Sequence, residues 1–121
     1  MNKHILVIDD NAHMRSILQE VLENEAYVVD TAGDGLIALD KITRQQAMPE
    51  VILLDLNLPR MNNLQLIEVL RQREDVRLDS IIVISKDMDA LQQTNRLGVR
   101  CYLAKPFDLE TLLELVSTPV D

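Results

Sequence analysis

The feature that most constrains this chain is a fivefold alternation of two apolar patterns. Continuous apolar runs occur at Ile5-Leu6-Val7-Ile8, Val51-Ile52-Leu53-Leu54 and Ile81-Ile82-Val83-Ile84. Short runs of this kind, rich in β-branched residues, predict strands buried on both faces. Tyr27-Val28-Val29-Asp30-Thr31 and Arg100-Cys101-Tyr102-Leu103-Ala104 are two further strand-like segments. A stretch with helical spacing follows each of the five. Met14, Ile17, Leu18, Val21 and Leu22 stand at i, i+3, i+4, i+7 and i+8, which is one apolar face, and Asp10 or Asn11 can cap its start. Leu36, Leu39 and Ile42 mark a helix over about 35–46, and Leu66, Ile67 and Leu70 one over about 63–73. A helix over about 88–97 offers Met88, Leu91 and Leu97, but Gln92-Gln93-Thr94-Asn95-Arg96 is polar nearly all round. So little apolar stripe gives little packing stability, which makes this the helix most able to move. Gly98 ends it. Asp108 caps a last helix with Leu109, Leu112, Leu113 and Val116 inward, and Pro119 closes it.

Strand and helix alternating with short connections mean an α/β fold: a doubly wound (βα)5 sandwich with a parallel sheet between helical layers. The 121 residues suffice for one domain, 1–121, and residues 118–121 either end it or begin a linker. A net charge of −8 without a Lys/Arg run excludes direct nucleic-acid binding as the main role. The single cysteine, Cys101, excludes an internal disulfide and reads as a strand filler. No apolar run reaches membrane-spanning length, and the first residues lead straight into a strand, so a cytoplasmic protein without a membrane span is expected. His4 and His13 have no companion at ligand spacing and read as surface residues.

In a parallel sheet all strand carboxyl ends share one rim, where such folds bind ligands. Asp9-Asp10, Asp55, Ser85 and Lys105 arrive there from four different strands. Three carboxylates together raise one another's pKa unless a cation intervenes. Mg2+ suits such a set, because it takes a few carboxylate oxygens and keeps water and phosphate oxygens. Asp9, Asp10 and Asp55 are then balanced by the metal and Lys105. A phosphoryl group on Asp55 would add about one negative charge, for which Ser85, Lys105 and loop N–H groups can supply donors. An aspartate carboxylate is a competent nucleophile for phosphoryl groups.

These pieces resemble one family. Asp9-Asp10, Leu54-Asp55-Leu56-Asn57-Leu58-Pro59, Ser85 at the end of its apolar run, and Tyr102-Leu103-Ala104-Lys105-Pro106-Phe107 look like a bacterial two-component response-regulator receiver domain, over nearly all of residues 3–117. The resemblance implies a five-stranded sheet in order 2-1-3-4-5, as in chemotaxis receivers. It implies that Asp55 accepts a phosphoryl group from a sensor histidine kinase or a histidine-phosphotransfer protein of a phosphorelay. It implies Mg2+, with Mn2+ as a substitute, held by Asp10, Asp55 and the backbone carbonyl of Asn57, with Asp9 acting through water. Lys105 pairs with the phosphoryl oxygens, and Ser85 swings in as the switch. Tyr102 then turns inward and reshapes the face of helix four, strand five and helix five for an effector domain or target protein. The Lys105–Pro106 bond resembles the family's cis peptide. A monomer, or a dimer formed on phosphorylation, fits this pattern. The chain is then no enzyme in the usual sense, since it catalyses only its own phosphorylation and dephosphorylation.

Two departures from the family pattern stand beside the site. Asn63 replaces a usual glycine, and asparagine tolerates positive φ. Lys86 replaces a usual small residue after the switch. Together with Asn57 and Asp87, Lys86 is expected to tune the lifetime of phosphorylated Asp55. Two other readings compete. One is a metal-dependent phosphohydrolase with an aspartyl-phosphate intermediate, but that class wants an acid where Asn57 stands and a cap that 121 residues do not leave room for. The other is a degenerate receiver acting as a phosphate-independent interaction module, against which the full set Asp9, Asp10, Asp55, Ser85 and Lys105 argues. In the plain structural readings, Asp55 is a turn residue, Asp9-Asp10 a helix cap and Lys105 a surface lysine. The arrival of all of them at one rim weighs against these.

Overall fold

A computed structural model of the chain describes residues 3–44, 49–56, 63–74 and 76–117, without the side chains of residues 63 and 64. Five strands, β1 (His4–Ile8), β2 (Val28–Ala32), β3 (Val51–Asp55), β4 (Ile81–Ser85) and β5 (Cys101–Ala104), form one parallel sheet in the order β2-β1-β3-β4-β5. Five helices alternate with them: α1 (Ala12–Asn24), α2 (Gly35–Arg44), α3 (Asn63–Arg71), α4 (Met88–Arg96) and α5 (Leu109–Ser117). A 3-10 turn at Leu78–Ser80 leads into β4. The order implied by the resemblance is the one observed.

Side chains alternate across a strand, so every central strand here feeds two cores. Leu6, Ile8, Ile52, Leu54, Ile81 and Val83 pack with Ala38 and Ile42 of α2, Leu66, Ile67 and Leu70 of α3, and Leu91 of α4. Ile5, Val7, Val51, Leu53, Ile82 and Ile84 pack on the other face with Leu18 and Leu22 of α1 and Leu112 and Val116 of α5. All five residues of β3 and of β4 are buried, which is why the first four of each are apolar without alternation.

Helix ends follow local chemistry. Asn11 is the N-cap of α1, accepting from the Met14 N–H at 3.1 Å. Asp87 caps α4 and Asp108 caps α5, each through a carboxylate that accepts from the next turn. Thr111's side chain and N–H hold the exposed Asp108 carboxyl below its ordinary range. Gly98, at φ 102°, follows the end of α4, where a Cβ would lie 2.9 Å from Leu78 Cδ1. After α1 it is Ala26, not a glycine, that takes positive φ, at 68°. Its N–H reaches Glu23 O and the Tyr27 N–H reaches Leu22 O, the paired bonds of a Schellman close.

Several expected inward residues lie elsewhere. Leu36 is 63% exposed, and Gly35, Ala38 and Ile42 form the buried face of α2 instead, since i, i+3 and i+7 fall on one line. Leu39 packs only partly. Ile17, Met88 and Leu109 keep between 36% and 54% of their surface exposed on their helices. On α4 the second buried residue is Thr94, whose hydroxyl donates to Leu91 O at 2.8 Å, so a residue read as polar and outward is part of the core contact. Tyr27 and Arg100 fall just before their strands rather than in them. The end of the second helix expected near residue 46, and Pro59, lie outside the described residues.

Candidate functional site

Register places the site. Ile8 pairs with Leu54 across β1 and β3, so Asp9 and Asp55, each one residue further on, come side by side. Asp55 pairs with Ile84, and Ser85 pairs with Ala104, so Lys105 arrives one residue past Ser85. The alternation adds a direction that spacing alone does not state. Asp9, Asp55 and Lys105 have the parity of Val7, Leu53 and Leu103, the α1/α5 face, whereas Ser85 has the parity of Val83, the α2–α4 face.

The Lys105 ammonium lies 2.7 Å from Asp55 Oδ2, and the Asp55 side chain is 4% exposed. The peptide bond that follows Lys105 is cis, and the Lys105 N–H donates to Ser85 O at 3.0 Å, tying the loop after β5 to β4. Asp9 is also buried and sits against Asp55. Its carboxyl is pushed up to about 6, first by burial. The Asn11 N–H, 2.9 Å from Asp9 Oδ1, opposes the rise, the charge and hydrogen bond of Asp55 add to it, and Lys105 opposes it. Asp10 is exposed beside them. Ser85 is fully buried, and its hydroxyl oxygen accepts from the Asp87 N–H at 2.9 Å, which leaves the hydroxyl proton free to donate. Tyr102 is 54% exposed. Lys86 and Asp87 are exposed just past Ser85. Asn57 and the side chain of Asn63 lie outside the described residues.

Three supporting features were not legible as site residues. Arg15 Nη1 donates to Asp9 O at 2.7 Å and so fastens the turn between β1 and α1. Gly33 makes room for it, since a Cβ there would lie 3.3 Å from Arg15 Nη1. Asn11, read only as a cap, also donates its N–H to Asp9. No spacing rule connects residue 15 to residue 33. Arg15 lies one turn into α1, where a long cation reads as a solvated face.

Among the described residues no group of three or more His, Cys, Asp or Glu is placed to hold a metal ion. Two neighbouring buried carboxylates, Asp9 and Asp55, with one lysine bonded to Asp55, nevertheless fit a hard divalent cation. Mg2+ is commonly held by one or two carboxylates, with waters and phosphate oxygens completing its shell. The oxygen-only donors and the upward push on Asp9 are the chemistry such a cation relieves.

Comparisons with known proteins identify the family and the fold. Residues 5–117 match the family model described as the response regulator receiver domain. The chain is 31% identical over 117 residues to sporulation initiation phosphotransferase F of Bacillus subtilis, covering 97% of this chain and 93% of that protein. It is 35% identical over 111 residues to response regulator ArlR of Staphylococcus aureus, covering 90% of this chain and 48% of that longer protein. The chemotaxis response regulator CheY4 of Vibrio cholerae superposes with a TM-score of 0.84 at 28% identity, over 94% of this chain and 95% of that one. No helix is long and apolar enough among the described residues to cross a membrane. With the strand order, the rim and these likenesses together, the chain belongs to the response regulator receiver domain family of two-component signalling proteins.

Proposed function

We propose that Asp55 is the phosphoryl acceptor of this receiver, and that a phosphohistidine of a sensor kinase or phosphotransfer protein is its donor. The observation that carries the reading is the buried Asp55 carboxylate with the Lys105 ammonium at 2.7 Å and a second buried carboxylate, Asp9, against it. In the transfer an Asp55 oxygen forms the bond to phosphorus, and the bond from phosphorus to the imidazole nitrogen breaks. The Lys105 ammonium is already at the carboxylate and can follow the charge onto the phosphoryl oxygens. The Ser85 hydroxyl, with its proton free, is the neutral donor for a phosphoryl oxygen once it leaves its own face of the sheet.

Asp10 and Asp55, with the carbonyl of Asn57 and with Asp9 through water, would hold Mg2+, which when bound neutralises the added phosphoryl charge. Burial of the half-exposed Tyr102 behind Ser85 would convert the chemistry into a changed α4–β5–α5 surface. That surface is read by an effector domain or a target protein in the cytoplasm. The protein's catalysis is limited to its own phosphorylation and dephosphorylation. The test is Mg2+-dependent labelling with a phosphorylated kinase or acetyl phosphate, followed by intact mass. One phosphoryl group per chain is expected, lost in Asp55→Asn. Labelling that survives that substitution would refute the assignment.

A further inference from the structure

Of the two carboxylates assigned a direct hold on Mg2+, Asp10 is the less secured. It is exposed, and among the described residues its side chain has no hydrogen bond or ion pair. Its place at the rim is therefore set through the backbone. One residue grips that backbone on both sides of Asp10. The Arg15 guanidinium donates from Nη1 to Asp9 O at 2.7 Å, and the Arg15 N–H donates to Asn11 O at 3.0 Å. The first bond holds the peptide plane that enters Asp10, and the second holds the plane that leaves Asn11. The Asp9 N–H donates to Ala32 O at 3.1 Å, which pins the same turn to β2. Gly33 follows Ala32 and lies tight against the guanidinium, so Arg15 stands between the turns after β1 and β2.

By charge alone Arg15 is misplaced. Among the described residues no carboxylate forms an ion pair with it. A guanidinium with its full charge thus stands beside a rim that has to take a divalent cation, and like charges repel. Its charge opposes the metal, while its hydrogen bonds order a ligand of that metal. The two effects have opposite signs, and their sum can be measured.

Resting on the reading of Asp10 and Asp55 as the Mg2+ site, we infer that Arg15 is a positioning residue for that metal. Its grip on Asp9 O sets Asp10 at the rim and raises Mg2+ affinity in spite of its own charge. Removing a group that orients a metal ligand commonly weakens binding by roughly tenfold to a hundredfold. Arg15 holds the backbone rather than the ligating atoms, and the turn keeps its bond to Ala32 without it. The loss belongs at the lower end of that range.

The experiment titrates the full, metal-free chain with Mg2+ and follows backbone amide shifts by NMR, which give the Kd of the folded protein. Arg15→Met keeps the packing of the stem and removes both the donor and the charge. Its Kd for Mg2+ should rise about tenfold. A purely electrostatic role predicts the opposite, since loss of a cation would tighten binding. A role only in the stability of α1 would lower the melting temperature and leave Kd where it was. Arg15→Lys restores a donor and the charge, and should bring Kd back to within about threefold of the wild type. Arg44→Ala removes an exposed cation from the last turn of α2 and should leave Kd unchanged. A Kd that is unchanged or lower in Arg15→Met would overturn the inference. So would an Arg15→Lys protein that binds as weakly as Arg15→Met, or an equal loss in Arg44→Ala. Should Arg15→Met not give the spectrum of a folded protein, Arg15→Ala is read by the same criteria. Absence of saturable shifts in the wild type would instead refute the metal reading on which the inference rests, so the two failures are distinguishable.

Discussion

Replacing Asp9 by asparagine tests the electrostatics of the site most directly. The Asp9 carboxyl is pushed from its ordinary 3.8 up to about 6, mainly by burial. That rise corresponds to about 3 kcal/mol between its charged and neutral forms. The sign follows from linkage. The folded state holds the proton more tightly than the unfolded chain, so no penalty exists below pH 3.8 and the full penalty exists above about 6. Stability in the absence of divalent metal is therefore lost as pH rises through this window. Asparagine keeps an acceptor for the Asn11 N–H, which lies 2.9 Å from Asp9 Oδ1, and its amide can donate to Asp55. Asp9→Asn should thus stabilise the protein in EDTA by up to about 3 kcal/mol at pH 8 and by about half as much at pH 5. For a chain of this size 3 kcal/mol is a Tm rise of roughly 10 °C. Carboxylates remote from Asp9 titrate equally in both proteins and cancel in the difference. Added Mg2+ should narrow the gap, because the metal stabilises the wild type by mass action and finds one carboxylate fewer in the variant. Thermal melts of both proteins between pH 5 and 8, with EDTA or Mg2+, measure all of this. A stability difference that is constant with pH, or that favours the wild type in EDTA, would refute the reasoning.

Further outcomes follow from other parts of the molecule. Ala26→Gly should raise stability by about 1 kcal/mol, because alanine at φ 68° carries the left-handed penalty that glycine avoids; urea melts would detect this as a shifted midpoint with an unchanged slope. Gly98→Ala should cost roughly 1–3 kcal/mol, since it combines φ 102° with a Cβ 2.9 Å from Leu78 Cδ1; Leu78→Ala in the same background should recover only the steric part. Lys86→Ala should change the autodephosphorylation rate of phosphorylated Asp55, measured by loss of the mass shift over time, and equal rates would show that Lys86 has no hold on the phosphoryl group.

The fold was legible because its signal is repetitive. Five apolar runs and five helical spacings leave one architecture that buries every face, although the strand order rests on the family resemblance. The meeting of Asp9, Asp55 and Lys105 was legible for a related reason, since the carboxyl ends of parallel strands have only one rim to share. Side-chain environment inside the helices was harder to read. On α2 a glycine and an alanine, not Leu36, face the sheet, because close packing there favours small residues over large ones. Thr94 looked outward until its hydroxyl found the Leu91 carbonyl one turn back. Arg15, which holds the Asp9 carbonyl, lies tight against Gly33, a contact between distant positions that no local pattern encodes.

The parity of the strand residues has a consequence of its own. β3 and β4 are buried along their whole length, so the sheet is a sealed wall between two cores. Paired substitutions such as Leu112→Ala with Leu66→Ala, one in each core, should therefore have additive costs. Asp55 and Lys105 stand on one side of that wall and Ser85 on the other, meeting where it ends. The rim is in this sense a doorway. Under the role proposed for Ser85, the movement of one hydroxyl around the edge of the sheet would carry a change at Asp55, beside α1 and α5, to the side of α4.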